Sequence, residues 1–437
     1  MSKKAILKGT FILTITGFLS RFLGFFFRIF MSHRFGEEQM GLYQLIFPIY
    51  ALCFSLSCAG IETALSRSVA RCMAQRKKRE ADILLYQSLL FSVSGALLLA
   101  IILHMLSPIL SSTLFNEVRC VFLLKTLAWA LPFAAVHSCF CGYYLGQKHT
   151  LLPASSQLVE QVSRILSVFL VCHLSKSFSV WTAVLGLVVG ECISACYCAY
   201  YFFVKPHTRF SILGVRNAKH LRKELLGLSI PLTSNRVIMN LLQSVETISI
   251  PVFLQTYGYN VSDALRTYGV FTGMAMPCIF FPTAVTSSVS TMLLPTVAEI
   301  EAENKLTRLK QLIRKVIFFG FGLGSLCGIF FLTSASYIGN LLFHSVQAGK
   351  FLQTLAWICP FLYMNQTLIS ILNGLGKAGK AFFINISGLI VRIAGAWYGI
   401  THFGMTGYLI GLLISQILVS ILCISQLGTY IEHRELY

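Results

Sequence analysis

The sequence predicts an all-α polytopic membrane protein, with about twelve transmembrane helices arranged as two six-helix lobes. Three observations carry this. The 437-residue chain is 56% hydrophobic and only 12% charged, about half the charged share of an ordinary soluble domain. Its mean hydropathy is +0.73, and apolar stretches near the roughly 20 residues that cross a bilayer recur from end to end. Its net charge of +19 collects in alternate connections, as positive-inside topology requires.

Hydropathy places spans at about 10–32, 40–63, 84–107, 121–146, 152–174, 179–204, 226–252, 266–295, 317–340, 351–375, 381–400 and 404–427. The first is too long for a signal peptide and lacks a small-residue cleavage site, so it reads as an uncleaved signal anchor. The span at 266–295 contains Pro277, Pro282 and Pro295, which remove helix hydrogen bonds and predict a tilted or broken helix. With the N-terminus inside, 24 of the 35 Lys and Arg fall on cytoplasmic segments, five outside and six within spans. That asymmetry puts both termini in the cytoplasm of a bacterial inner membrane. It also accounts for the basic balance without nucleic acid. The run Arg76-Lys77-Lys78-Arg79 reads as a topology determinant touching anionic headgroups.

The longest basic connection, 205–225, separates an N-terminal lobe (1–204) from a C-terminal lobe (226–437). Each lobe opens with a span carrying an internal arginine, the layout of parallel transporter repeats with substrate between the halves. Gly17, Gly24, Pro231 and Pro251 supply bending points in those opening spans.

The intramembrane charges carry the functional reading, because ionisable groups in a span are costly and face protein or water rather than lipid. Arg21 and Arg28 lie seven residues apart in the first span, two turns apart on nearly one face. Arg236 faces the same problem in the seventh span and is expected to line the same cavity. Glu160 and Arg164 are spaced four apart with the acid first, the favoured helical ion pair. Glu62 sits near the end of span two, where Arg67 snorkels. Arg392 is expected to pair with Glu191 or Glu246, and Lys125 snorkels outward. Six basic groups against four acids within spans exclude complete mutual pairing if all are ionised. Surplus guanidinium in a wet cavity attracts phosphate. Fourteen cysteines and ten histidines show no paired zinc spacing, so no metal site is expected and the thiols read as small core residues. No nucleophile–base pattern or Gly-rich phosphate loop points to an enzyme.

At these residues the chain resembles a known family. The pattern Arg21…Gly24…Arg28, followed by Gly36-Glu37-Glu38…Gly41-Leu42-Tyr43-Gln44…Pro48-Ile49-Tyr50, is similar to the start of the stage V sporulation protein B family. So are "GIETALSRSVA" (60–70), "LSIPLTSNRVIMNLLQSVETISIPVFL" (228–254) and "YGVFTGMAMPCIFFPTAVTSSVSTMLLPTVAE" (268–299). The family lies in the multidrug/oligosaccharidyl-lipid/polysaccharide exporter superfamily. The resemblance implies a V-shaped, two-lobed flippase working by alternating access on polyprenyl-pyrophosphate-linked saccharides such as lipid II. In related lipid II flippases, arginines of the first helix and second lobe are required, and Arg21, Arg28 and Arg236 match them best. Members commonly have fourteen helices; this sequence supplies about twelve, without the pair that often forms a lipid groove.

The expectation is therefore a monomeric flippase carrying a glycan-lipid precursor for cell wall, spore cortex or surface polysaccharide. Arg21, Arg28 and Arg236 hold the pyrophosphate; Glu62, Glu160, Arg164, Glu191, Glu246 and Arg392 are cavity or ion-coupling candidates. No ATP site is visible, so a coupling cation (Na+ or H+), the membrane potential or product consumption drives it. The alternative is an H+- or Na+-coupled multidrug or small-cation exporter, which needs an acid-dominated cavity. A third reading is a non-transporting scaffold for cell-wall synthesis enzymes.

Overall fold

The computed structural model describes residues 3–175, 179–204, 218–303 and 305–435. Among them every regular element is helical. In chain order these are α1 (Lys3–Leu45), α2 (Phe47–Phe54), α3 (Gly60–Ala74), α4 (Lys78–Ile109), α5 (Cys120–Ala128) and α6 (Ala130–Gly146). Next come α7 (Leu151–Ser175), α8 (Val180–Val204), α9 (Lys219–Tyr257), α10 (Val261–Gly269), α11 (Met276–Phe280) and α12 (Thr283–Ala302). The chain closes with α13 (Leu306–Phe343), α14 (Val346–Leu355), α15 (Cys359–Gly374), α16 (Ala378–Ala394), α17 (Ile400–Phe403) and α18 (Met405–Glu435). Short π-turns at Ser55–Ala59, Leu110–Leu114, Val270–Ala275 and Gly395–Gly399 join several of them.

Ten of these helical stretches are long and apolar enough to cross a membrane. An eleventh arises if the pair Val261–Phe280 and Thr283–Ala302, bent by 55°, is one span. The bend falls where Pro282 caps α12, in the stretch where the proline pattern predicts a break. The remaining difference from twelve lies at the start. Phe11–Ala74 is one 64-residue stretch that contains both predicted spans 10–32 and 40–63. Inside it Gly36 adopts φ 76°, a left-handed backbone that glycine takes at no steric cost. Of the basic connection predicted at 205–225, residues 205–217 lie outside the described residues, as does Lys176.

Contacts divide the described residues into two compact units. Met1–Phe27 with Leu42–Ser244 form the first, and Arg28–Gly41 with Val245–Tyr437 the second. The chain passes from one to the other within α1 and again within α9.

The first unit has a core of Leu65, Tyr143, Tyr144, Phe202, Leu221 and Leu225, all nearly inaccessible. Two polar bonds cross it: Gln87 donates to the carbonyl of Ala218 at 3.2 Å, and the Tyr143 hydroxyl donates to Asp82. Gly60 explains one quoted motif, because a Cβ there would overlap Thr233 and the Ser229 carbonyl. α3 and α9 therefore touch backbone to backbone.

The second unit is centred on Val297, Leu309, Leu368, Ile371, Cys423 and Leu427. Residues 28–41 are tied into it by polar bonds. His33 Nε2 lies 2.6 Å from the carbonyl oxygen of Leu342. Glu37 accepts from the Ser345 hydroxyl, which also caps α14. Glu38 accepts from Ser262 at 2.7 Å. Gly41 packs against Gly269 and the Leu265 carbonyl, where a Cβ would overlap backbone. The Gly-Glu-Glu…Gly motif thus docks α1 on α10 and α14.

Candidate functional site

In the first unit, titratable groups of α6, α7 and α8 gather beside Tyr50 of α2. Glu160 and Arg164 form the i,i+4 pair expected on α7. The α8 carboxylate of Glu191 is buried. Its Oε1 accepts from the Tyr50 hydroxyl at 3.3 Å. Its Oε2 lies 3.5 Å from His137 Nδ1, yet it accepts no hydrogen bond and is shut away from solvent. His137 Nε2 is 3.0 Å from Ser156 Oγ, which fixes the imidazole.

Ligand atoms of His137, Glu160 and Glu191 all lie within 4.8 Å of one another. Two carboxylates against Arg164 leave one negative charge when His137 is neutral. A buried carboxylate oxygen with no donor is costly, and a monovalent cation or a proton on Glu191 Oε2 would satisfy it. Oxygen-rich donors suit a hard cation. These three residues therefore fit a coupling ion.

Sequence reading missed His137 and Tyr50. The first is one of ten histidines with no local pattern, and the second reaches Glu191 across 141 residues of chain. Most of the cysteines are buried, as small core residues are. His137 and Cys141 lie one turn apart on α6, and Cys198 of α8 packs against them, close enough for all three to share an ion. Sequence spacing could not show a grouping made by helix packing. All fourteen thiols are unpaired.

Glu62 is half-buried and its Oε2 accepts from Ser138 at 3.2 Å. Beside it, Arg236 Nη2 of α9 donates to Thr63 Oγ1 at 3.1 Å. Arg236 is exposed and meets no carboxylate within ion-pair distance among the described residues. It heads a seam of residues four apart on one face of α9. Asn240 donates to the Ala51 carbonyl at 3.3 Å, and Ser244 to the Pro48 carbonyl at 3.0 Å. The four-residue spacing in "NRVIMNLLQS" was the available signal for Asn240 and Ser244.

Arg21 is exposed on α1, beside the exposed rings of Phe18 and Phe22. Arg28 is half-buried. Arg21 and Arg236 belong to the first unit and Arg28 to the second.

In the second unit the pairing left open between Glu191 and Glu246 is decided for Glu246. Arg392 of α16 grips it bidentately, Nε to Oε1 at 2.6 Å and Nη2 to Oε2 at 2.5 Å. The Tyr408 hydroxyl of α18 adds a third bond to Oε1 at 2.6 Å. Glu246 is 2% exposed, so a buried carboxylate is saturated by three donors. Arg392 also borders a cavity of about 270 Å³ lined by the polar side chains of Asn365, Gln366, Asn385, Ser415 and Gln416. Asn365 Nδ2 donates to Gln416 Oε1 at 3.0 Å and accepts from Ser420 through Oδ1 at 2.7 Å. Sequence reading, which weighed only full charges, passed over these carboxamides.

Comparison with known proteins bears on this arrangement. A family model described as "Polysaccharide biosynthesis protein" matches residues 6–301. The chain is 27% identical over 436 residues to stage V sporulation protein B of Bacillus subtilis (strain 168), covering 97% of this chain and 83% of that one. It is 24% identical over 198 residues to lipid II flippase MurJ of the same organism, covering 44% of this chain and 36% of that one. Among solved structures it is similar to an inward-facing multidrug resistance MATE family transporter of the MOP superfamily. The TM-score is 0.78 at 17% identity, over 95% of both chains; likeness at that identity speaks to the fold.

Proposed function

The chain belongs to the polysaccharide biosynthesis protein family, and from that membership we propose that it is a flippase for a polyprenyl-pyrophosphate-linked saccharide. Lipid II, or a related wall, spore-cortex or surface-polysaccharide precursor, is the cargo, moved outward across the bacterial cytoplasmic membrane by alternating access. Both termini lie in the cytoplasm, the protein acts as a monomer, and the two lobes of the sequence reading are its moving parts.

The observation that carries this reading is how the intramembrane arginines are used. Arg164 and Arg392 each hold a carboxylate. Arg236 instead donates to a neutral hydroxyl, so its charge is available to a ligand. Arg21, Arg28 and Arg236 grip the diphosphate, whose oxygens accept bidentate bonds from the planar guanidinium fork. They offset the cost of bringing two phosphates into a low-dielectric medium. The relative named for flipping lipid II supports the cargo class. His137, Glu160 and Glu191 hold the coupling Na+ or H+ when it is bound. Arg164 fixes Glu160, and Tyr50 fixes Glu191, so that the ion meets oriented oxygens.

Translocation in proteoliposomes tests this, with a fluorescent pyrophosphate-linked saccharide lipid and a membrane-impermeant quencher. With labelled lipid in both leaflets, outward transport exposes the inner-leaflet lipid to the external quencher; Arg236→Ala is expected to leave that lipid protected, and Arg67→Ala, exposed midway along α3, to quench like wild type. Equal transport by Arg236→Ala and wild type would overturn the assignment.

One observation favours a second reading, an H+- or Na+-coupled multidrug or small-cation exporter: the unsatisfied Glu191 oxygen in a transporter of this fold. That reading requires cationic-drug transport that depends on Glu191 and survives loss of Arg236.

A further inference from the structure

At one end of the second unit, the last turns of α18 meet the start of α16 and the end of α12 around a cavity of about 360 Å³. Its polar lining is Glu301, Lys377, Lys380, Thr429, Tyr430, His433 and Arg434. The charges are not evenly matched. Glu301 accepts from both Arg434 and the Tyr430 hydroxyl, so that acid and that guanidinium cancel. Lys377 Nζ lies 5.7 Å from the centroid of the Tyr430 ring. Lys380 Nζ donates to the neutral amide oxygen of Gln426 at 2.7 Å. Neither lysine meets a carboxylate among the described residues. Two ammonium groups are thus held over one cavity by an aromatic face and an amide, with no anion assigned to them.

The surroundings indicate what kind of anion. The cavity sits at the first turn of the apolar span Ala378–Phe403 and the last turns of Met405–Arg434. One turn above Lys380 on α16 stands Phe383, 70% exposed. Two turns further along the same face of α16, Ile390 is exposed too. A basic cavity opening beside outward-facing apolar side chains matches a phosphate with acyl chains attached, and basic pockets at the ends of membrane helices hold anionic lipid headgroups. The Lys and Arg asymmetry assigns this end to the cytoplasm, whose leaflet is rich in such lipids.

We propose that this cavity is a binding site for the phosphodiester headgroup of an anionic membrane phospholipid, held by Lys377 and Lys380, with its acyl chains along Phe383 and Ile390. It uses none of the arginines assigned to the cargo, so it stands or falls separately from the flippase reading. Free inorganic phosphate shares the headgroup chemistry but not the chains.

Native mass spectrometry of the full chain, delipidated in detergent and titrated with phosphatidylglycerol or phosphatidylcholine, provides the test. Wild type is expected to retain one phosphatidylglycerol in preference to phosphatidylcholine, and millimolar inorganic phosphate not to displace it. In the double variant Lys377→Gln/Lys380→Gln, retention should weaken about thirtyfold, from two near-surface charges. Lys350→Gln, an exposed lysine elsewhere in the second unit, serves as control, and a melting curve confirms that each variant is folded. Unchanged phosphatidylglycerol retention by the folded double variant overturns the proposal, as does an equal loss in the Lys350→Gln control. Displacement by inorganic phosphate would overturn it as a lipid site and leave a free-anion site.

Discussion

Each unit buries a glutamate on a membrane helix, and the two are treated in opposite ways. Glu246 in the second unit receives three hydrogen bonds, two from Arg392 and one from Tyr408. Glu191 in the first receives one, from Tyr50, and leaves an oxygen with none. A saturated carboxylate with a bidentate guanidinium has little left to give a ligand, so the second cluster is a clamp joining α9, α16 and α18. An unsatisfied one beside a second acid and an imidazole is where the proposed function places the coupling cation. Burial of an acid in a membrane helix is therefore not by itself a sign of function; what remains unbonded is.

The contrast can be broken most forcefully at the clamp. Glu246→Gln removes the buried counter-charge of the half-buried Arg392 guanidinium, which costs up to about 3–5 kcal/mol. Thermal unfolding in detergent should show a large drop, and Glu246→Leu/Arg392→Met should recover most of it, since replacing both partners with apolar groups is often neutral. A small effect of the single change would mean the clamp is not structural. At the other pole, Glu191→Gln keeps the acceptor for Tyr50 and should change stability by under about 1 kcal/mol. The same variant should lose the dependence of transport on the Na+ or H+ gradient, at least tenfold in rate. A stability loss like that of Glu246→Gln would erase the distinction between the two clusters. The smallest effect expected is for Ser244→Ala, which removes one neutral bond to the Pro48 carbonyl and should cost about 0.5–1.5 kcal/mol with cargo binding intact. A strong transport defect there would place the α9 seam in the mechanism.

Much of this was legible before any coordinates, and the parts that were not share one cause. Period and hydropathy locate helices because each span must satisfy its own backbone bonds. The i,i+4 pairing of Glu160 with Arg164 could be read because it lies within one helix. Whether Arg392 met Glu191 or Glu246 could only be narrowed to two, because that depends on which helices pack. His137, Tyr50 and Tyr408 were invisible for the same reason, each being a single side chain whose partner lies on another helix. The glycines of the quoted motifs gave a resemblance before a reason. Gly41, Gly60 and Gly269 turn out to mark backbone-to-backbone crossings, and Gly36 a left-handed turn.

The central claim is that the cargo is an anion recognised by Arg21, Arg28 and Arg236. It is tested most directly by binding of the purified protein to lipid II, with undecaprenyl phosphate and a cationic drug as competitors, in wild type and Arg28→Ala. The account predicts preference for the pyrophosphate lipid, no competition by the drug, and affinity at least about tenfold weaker in Arg28→Ala, the loss of one charge-assisted contact. Equal affinity in the variant, or drug binding that depends on Glu62 or Glu246 in place of lipid binding, would contradict it.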